Sequence, residues 1–204
     1  MSRYTGPKAR VNRRLDMMVY EGSGTIRATK RREKQPPGMH VRPRRPSNYG
    51  RALMEKQKIK HHYGLNERQL RRYFEKASKM KGNTSENLLI LCESRLDNVI
   101  RRVGLAKTRP QARQSVAHGH VRVNGVKVNR PSFLLRPGDV VTVRNRDNIV
   151  NYLRGVVDQV GEGQGLEWAK FDADTLTISI VGAPSAADIS LPVDGNVVVE
   201  FLSR

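Results

Sequence analysis

Asn124-Gly125 stands between Val121-Arg122-Val123 and Val126-Lys127-Val128, and few arrangements restrict a backbone more. An Asn-Gly pair accepts the two positive φ angles of a type I′ turn, whose twist matches that of paired strands. The spacing predicts a two-residue hairpin with all four valines on one face. The same register sets Arg122 opposite Lys127 on the other face. Like charges directly across a ladder destabilise it unless an anion lies between them. A phosphate there would turn that cost into a gain.

The hairpin ends a longer patterned stretch. Leu96, Val99, Ile100 and Val103 form the apolar stripe of a helix, with Arg95, Asn98, Arg101 and Arg102 on its outer face. Thr108 and Gln111 then form a T-x-x-Q capping box, with Pro110 in the first turn. That helix turns Ala112 and Val116 inward and Arg109 and Arg113 outward, and ends at Gly119. Pro137-Gly138-Asp139 makes a turn before a strand at Val140–Val143, and residues 148–160 read as helical. Residues 94–157 are therefore expected to be a compact module of two helices and a hairpin-containing sheet. An acidic loop and strand extension follow at 158–185, where the Gly161–Gly165 stretch reads as a linker and Leu176–Val181 alternates as a strand.

A second, helical region is expected over 47–93. Ser47 and Asn48 cap a helix to about Tyr63, and Asn66 with Gln69 opens another to about Met80, its apolar face Leu70, Phe74 and Ala77. A third begins near Thr84 and carries Leu88–Cys92, apolar on all sides, where Cys92 acts as a small hydrophobe. Residues 186–204 complete this domain; the tail Val197–Leu202 is a strand or a short helix, which periodicity does not decide. The first 46 residues read as an extended basic arm with a short helix near Lys8–Asp16. Residues 1–47 hold 13 Lys/Arg against 3 Asp/Glu and few large apolar groups, too little to offset ordering entropy alone. The fold class is α+β.

Charge decides the partner class. The net charge of the chain is +19, and it is uneven: residues 1–154 carry +25, residues 155–204 carry −6. Such self-repulsion in a compact chain calls for a polyanion. With four Phe, six Tyr and one Trp, extended stacking on single strands is disfavoured, so backbone and shape recognition of a folded nucleic acid fits better. One cysteine rules out a disulfide framework within the chain. His118-Gly119-His120 lacks a third ligand in reach, so no metal, cofactor or small-molecule substrate is expected. No run of 18 apolar residues occurs and the N-terminus lacks the apolar stretch of a signal peptide, so the expected setting is cytoplasmic, away from membranes. Two alternatives stay open: an RNA-modifying enzyme carrying the same small module, and a sequence-independent DNA-compacting protein.

The assigned interface follows. Arg95, Arg109, Arg113, Arg122 and Lys127 neutralise phosphates, while Gln111, Gln114, His118, His120 and Asn124 supply orienting hydrogen bonds. Gln111 also has a role as cap partner and Asn124 as turn former. Arg68, Arg71 and Arg72 present charge from the second helix of the helical domain, and Tyr4, Arg10, Arg13, Arg14, Arg31 and Arg32 fold onto the partner from the arm.

Several stretches resemble bacterial small-subunit ribosomal protein four. They are Arg3-Tyr4-Thr5-Gly6-Pro7, Pro36-Pro37-Gly38-Met39-His40, Glu86-Asn87-Leu88-Leu89, Arg95-Leu96-Asp97-Asn98-Val99, Ala112-Arg113-Gln114, His118-Gly119-His120 and Asn124-Gly125. The ending Val199-Glu200-Phe201-Leu202-Ser203-Arg204 is similar too, with Leu202 where Tyr is usual. The resemblance implies a structural protein that binds 16S ribosomal RNA early and nucleates assembly of the 30S body. It also implies contact with ribosomal protein five and an influence on accuracy, and it places Arg42, Arg44 and Arg45 near messenger RNA at the entry site. Some members carry four N-terminal cysteines that bind zinc; this arm has none, so no metal carries over.

Overall fold

The computed structural model describes residues 4–31, 35–39, 45–161 and 166–203. The chain divides into two compact units, Met1–Leu89 with Leu191–Arg204, and Ile90–Ser190. The residues expected as a separate arm, 1–46, are grouped with the helices that follow them in the first unit.

The beginning of the first unit is folded, not extended. Helix α1 (Lys8–Leu15) and helix α2 (Ser23–Lys30) pack on each other, and α1 also meets α3 (Asn48–His62). Val11, Leu15, Val19 and Tyr20 bury together, joined by half-buried Met17 and by Met54 of α3. Asn12, only 1% exposed, ties this cluster: its amide donates to Tyr20 O at 3.1 Å and accepts from Tyr20 N at 3.0 Å. Four apolar side chains are a small core, but each contributes roughly 1.5–3 kcal/mol once a neighbouring helix covers it. The helices that follow match their caps. Ser47 accepts from Gly50 N before α3, and Asn66 and Gln69 form a reciprocal capping box before α4 (Glu67–Ser78). The buried face of α4 is Leu70, Tyr73 and Ala77, with Phe74 half-buried beside them. The tail is helical: α9 (Gly195–Ser203) packs on α3 and α4, with Lys56 Nζ 4.6 Å from the Phe201 ring centre and 2.6 Å from Glu67.

Helix α5 (Thr84–Glu93) runs through the division between the units. The second unit continues with α6 (Leu96–Arg102), α7 (Arg109–Ala117), β1 (Val121–Val123), β2 (Val126–Lys127), β3 (Val140–Val143), α8 (Asp147–Val160), β4 (Ala169–Asp172) and β5 (Thr177–Ile180). The strands form one antiparallel sheet in the order β2-β1-β3-β5-β4. Strand β4 escapes the sequence reading although Ala169 and Phe171 face the core while Lys170 and Asp172 face out. Val121, Val123, Val141, Ile178 and Ile180 line one core with Leu96, Val99, Ile100 and Val116. The hairpin turn is as expected, with φ +50° at Asn124 and +78° at Gly125. Its valines differ: Val126, on an edge strand, is 68% exposed, while Val128 packs partly on the core. Cys92 is fully buried, and burial pushes its thiol up to about 12, so no thiolate forms there. Among the described residues no helix is long and apolar enough to cross a membrane.

Candidate nucleic-acid interface

With the valines and isoleucines turned inward, alternate residues of the sheet make its outer face. One row runs straight across all five strands: Lys127, Arg122, Thr142, Thr177, Asp172. The row is polar end to end, with two cations at the hairpin and a carboxylate at the far edge. Arg122 and Lys127 are directly paired in register, as the turn chemistry requires, and both are exposed. Among the described residues neither takes part in an ion pair. Where β1 and β3 run out, Arg144 N donates to His120 O at 2.8 Å, which sets Arg144 next to His120.

The end of α7 borders this corner. Gln114 and His118 are exposed, and the His118 and His120 rings meet edge-on with centres 5.7 Å apart. Burial lowers the His120 pKa, and His118, Arg144 and Arg146 lower it further, so the ring stays neutral near neutrality. The corner therefore collects Arg122, Lys127, Arg144, Arg146 and the two histidines. Arg144 and Arg146 were not singled out from the sequence. The signal was available: Arg144 has the parity of Thr142, hence of the outer face, once Arg122 is set against Thr142.

Other predicted cations sit elsewhere. Arg95 is fully buried, not on the outer face of α6, and grips Asp97 with Nε and Nη2 at 3.0 and 2.8 Å. Asp97 also accepts from Arg113 Nη1 at 3.3 Å. Arg102 and Asn98, expected outside, are buried against Glu93; Arg102 Nη1 lies 3.3 Å from its carboxylate and also donates to Asp188 O. Arg109 donates to Asn98 Oδ1 at 2.9 Å and to Ser190 Oγ at 3.2 Å, and Ser190 donates in turn to Glu93 at 2.7 Å. The physical reason is one of pairing. Two carboxylates, Glu93 and Asp97, are buried in this unit, and a buried carboxylate requires cations and donors around it. Arg95 is thus a scaffold residue, while Arg109 and Arg113 are half-buried and engaged by internal partners.

The amides are engaged as well. Thr108 caps Gln111 N, but Gln111 Oε1 accepts from Lys107 N rather than from Thr108, and its Nε2 donates to Tyr152 Oη at 2.8 Å. Asn124 accepts from Val140 N and donates to Asp139, each at 2.9 Å, fastening the hairpin to the start of β3. Gln114 and Asn124 are exposed, while Gln111 is half-buried.

In the first unit, Arg10 and Arg14 are exposed one turn apart on α1, off the face that buries Val11 and Leu15, while Arg13 reaches Gln35 O at 3.4 Å. Arg31 and Arg45 are exposed, and Arg68, Arg71 and Arg72 line the outer side of α4. Arg32, Arg42 and Arg44 lie outside the described residues. Tyr4, 42% exposed, packs on Tyr20 and meets the His61 ring edge-on at 5.1 Å. Tyr20 Oη lies 3.1 Å from His61 Nδ1. Burial, then the neighbouring Tyr4, pushes the Tyr20 phenol up to about 12; burial, then Lys60 and Arg14, lowers the His61 pKa. Among the described residues no group of three or more His, Cys, Asp or Glu is placed to hold a metal ion.

Comparison with known proteins accounts for both units. Residues 3–93 match the model of the ribosomal protein S4/S9 N-terminal domain, and residues 94–141 match that of the S4 domain. Over its full length the chain is 63% identical to the small ribosomal subunit protein uS4 of Rhodopirellula baltica, itself covered completely. The proteins of the same name from Rubrobacter xylanophilus and Thermodesulfovibrio yellowstonii are each 43% identical, again over the whole of both chains.

Proposed function

The chain belongs to the uS4 family of small-subunit ribosomal proteins, structural and non-enzymatic, and on that premise we propose that it is a primary binder of 16S ribosomal RNA. In this reading it acts in the cytoplasm within the small subunit and nucleates assembly of the 30S body. With ribosomal protein five it influences translational accuracy, and Arg42, Arg44 and Arg45 lie near messenger RNA at the entry site. The alternative of an RNA-modifying enzyme falls with family membership.

The observation that carries the reading is the pairing of Arg122 with Lys127 on an open sheet face, next to His120 and Arg144. Two like charges held in register without a carboxylate between them cost stability. A phosphate of a folded RNA reverses that cost and releases condensed counterions. Threonines occupy the middle of the row and a carboxylate its far end, so the charge itself orients the polyanion toward the hairpin corner.

The test is a salt titration of binding to 16S ribosomal RNA, with footprinting on the same complex. Reversing both hairpin cations, R122E with K127E, should lower the slope of log affinity against log salt by about 2 or more, about one per lost phosphate contact. It should also remove protection at one RNA locus. An unchanged slope in a folded variant removes the hairpin from the interface. Equal affinity for duplex DNA and folded ribosomal RNA at matched salt would favour a sequence-independent DNA-compacting protein.

A further inference from the structure

Helix α7 ends in a Schellman motif at Gly119. The Gly119 N–H bonds to Val116 O at 2.8 Å and the His120 N–H to Ser115 O at 3.1 Å. Its φ of +71° accounts for a glycine or an asparagine there, since both tolerate the left-handed region. A second constraint separates those two residues. A Cβ at position 119 would stand 2.3 Å from Lys127 Cε and 3.2 Å from Lys127 Nζ. The end of the Lys127 side chain therefore lies across the bare glycine backbone, in space that any side chain at 119 would fill.

That course has two consequences. The Lys127 ammonium rests beside the C-terminal end of α7, where the last carbonyls carry partial negative charge and favour a cation. The contact partly offsets the repulsion from Arg122, directly opposite across the ladder. It also confines a long side chain that is otherwise free to sample many rotamers. A confined ammonium loses less freedom when a phosphate reaches it than one moving freely in solvent.

The geometry points to Gly119 as a positioning residue for phosphate binding, its missing Cβ forming the track that seats the Lys127 ammonium at the hairpin corner. This rests on the proposed RNA-binding role of that corner. Gly119 touches no phosphate in this scheme; it acts through Lys127. Because Lys127 is a flexible chain, a Cβ at 119 displaces it without disrupting the unit, so the effect should appear in binding and not in folding.

The discriminating variant is G119N, since Asn accepts the positive φ but brings a Cβ; G119A changes both terms and serves as the strained control. Affinity of the full chain for 16S ribosomal RNA is measured against salt for wild type, K127M, G119N and the G119N/K127M double variant. K127M and G119N should each weaken binding about fivefold at low salt and lower the salt slope by about 1, and the double variant should be no worse than either. Retained wild-type affinity and slope in G119N, with K127M impaired, overturns the positioning role. So does a G119N loss that adds fully to that of K127M with an unchanged slope, which marks a general structural effect. An unaltered K127M overturns it too. Failure of the wild-type protein to bind the RNA at all is a separate result, against the function and not against the track.

Discussion

Two groups of arginines look alike along the chain and differ completely in space. Arg95 just before α6 and Arg102 at its end are buried and hold the carboxylates of Asp97 and Glu93. Arg122 and Lys127 lie exposed on the sheet face, paired directly in register with no carboxylate between them, and half-buried Arg144 follows β3 beside them. What separates the groups is the company of acids, not the identity of the cation. The α6 region supplies Glu93 and Asp97 within a few residues of its arginines, and once those acids are buried the arginines must follow. The hairpin supplies no acid on the outer row until Asp172, three strands away from Arg122.

The largest expected effect lies on the buried side. Replacing Arg95 by Met keeps the volume of its stem but leaves Asp97 buried with one of its bidentate partners gone. Breaking such a pair costs about 3–5 kcal/mol. Hydrogen exchange at the α6 and α7 amides should report that loss locally, and protein that remains folded should keep the wild-type salt slope for RNA. A reduced slope in folded R95M would place Arg95 among the phosphate contacts and collapse the distinction.

Arg113 sits between the groups, half-buried against Asp97 yet near the exposed side of α7. Arg113→Ala should therefore destabilise the second unit by about 1.5–3 kcal/mol, the range for losing a hydrogen bond to a charged group. Its salt slope should change by less than that of Arg122→Ala, for which a drop of about 1 is expected with stability altered by no more than about 0.5 kcal/mol. Denaturation and salt titration on the same two preparations compare them directly. Equal slopes for both variants would move Arg113 to the solvent-facing group.

The same contrast explains what sequence could and could not convey. Caps and turns act through neighbours a few residues away, so Ser47, Asn66, Thr108 and Asn124-Gly125 were legible, and with them the helix starts and the hairpin register. The core of α1 and α2 was not, because Met54 of α3 and the fully bonded Asn12 complete it from outside any local pattern. Helical periodicity put Arg95 and Arg102 outside because it counts apolar residues and ignores buried acids that recruit cations. The tail was ambiguous by period and became a helix by packing on α3 and α4. On the sheet, Arg144 was readable only after β1 and β3 were paired, and Gly119 only after the Lys127 side chain had a course in space.

The smallest effect sharpens the solvent-facing side. His120 is half-buried, and its buried Nδ1 has no hydrogen-bond partner among the described residues. The charged and titratable groups facing it are His118 from the end of α7 and Arg144 and Arg146 beyond β3. Protonation is disfavoured there by burial first and by His118, Arg144 and Arg146 next, so the folded pKa lies below the unfolded one. A depressed histidine contributes stability that is present above the unfolded pKa of about 6.5 and is lost as pH falls through the folded pKa. Without RNA, the second unit of wild type should lose protection more steeply than H120Q as pH falls below about 6.5. With RNA bound the sign reverses: phosphates beside the ring favour its charged form, so binding takes up protons and wild-type affinity rises relative to H120Q as pH falls. Calorimetry in buffers of differing ionisation enthalpy reads that uptake, and a wild-type uptake no greater than that of H120Q would place the phosphates away from this corner.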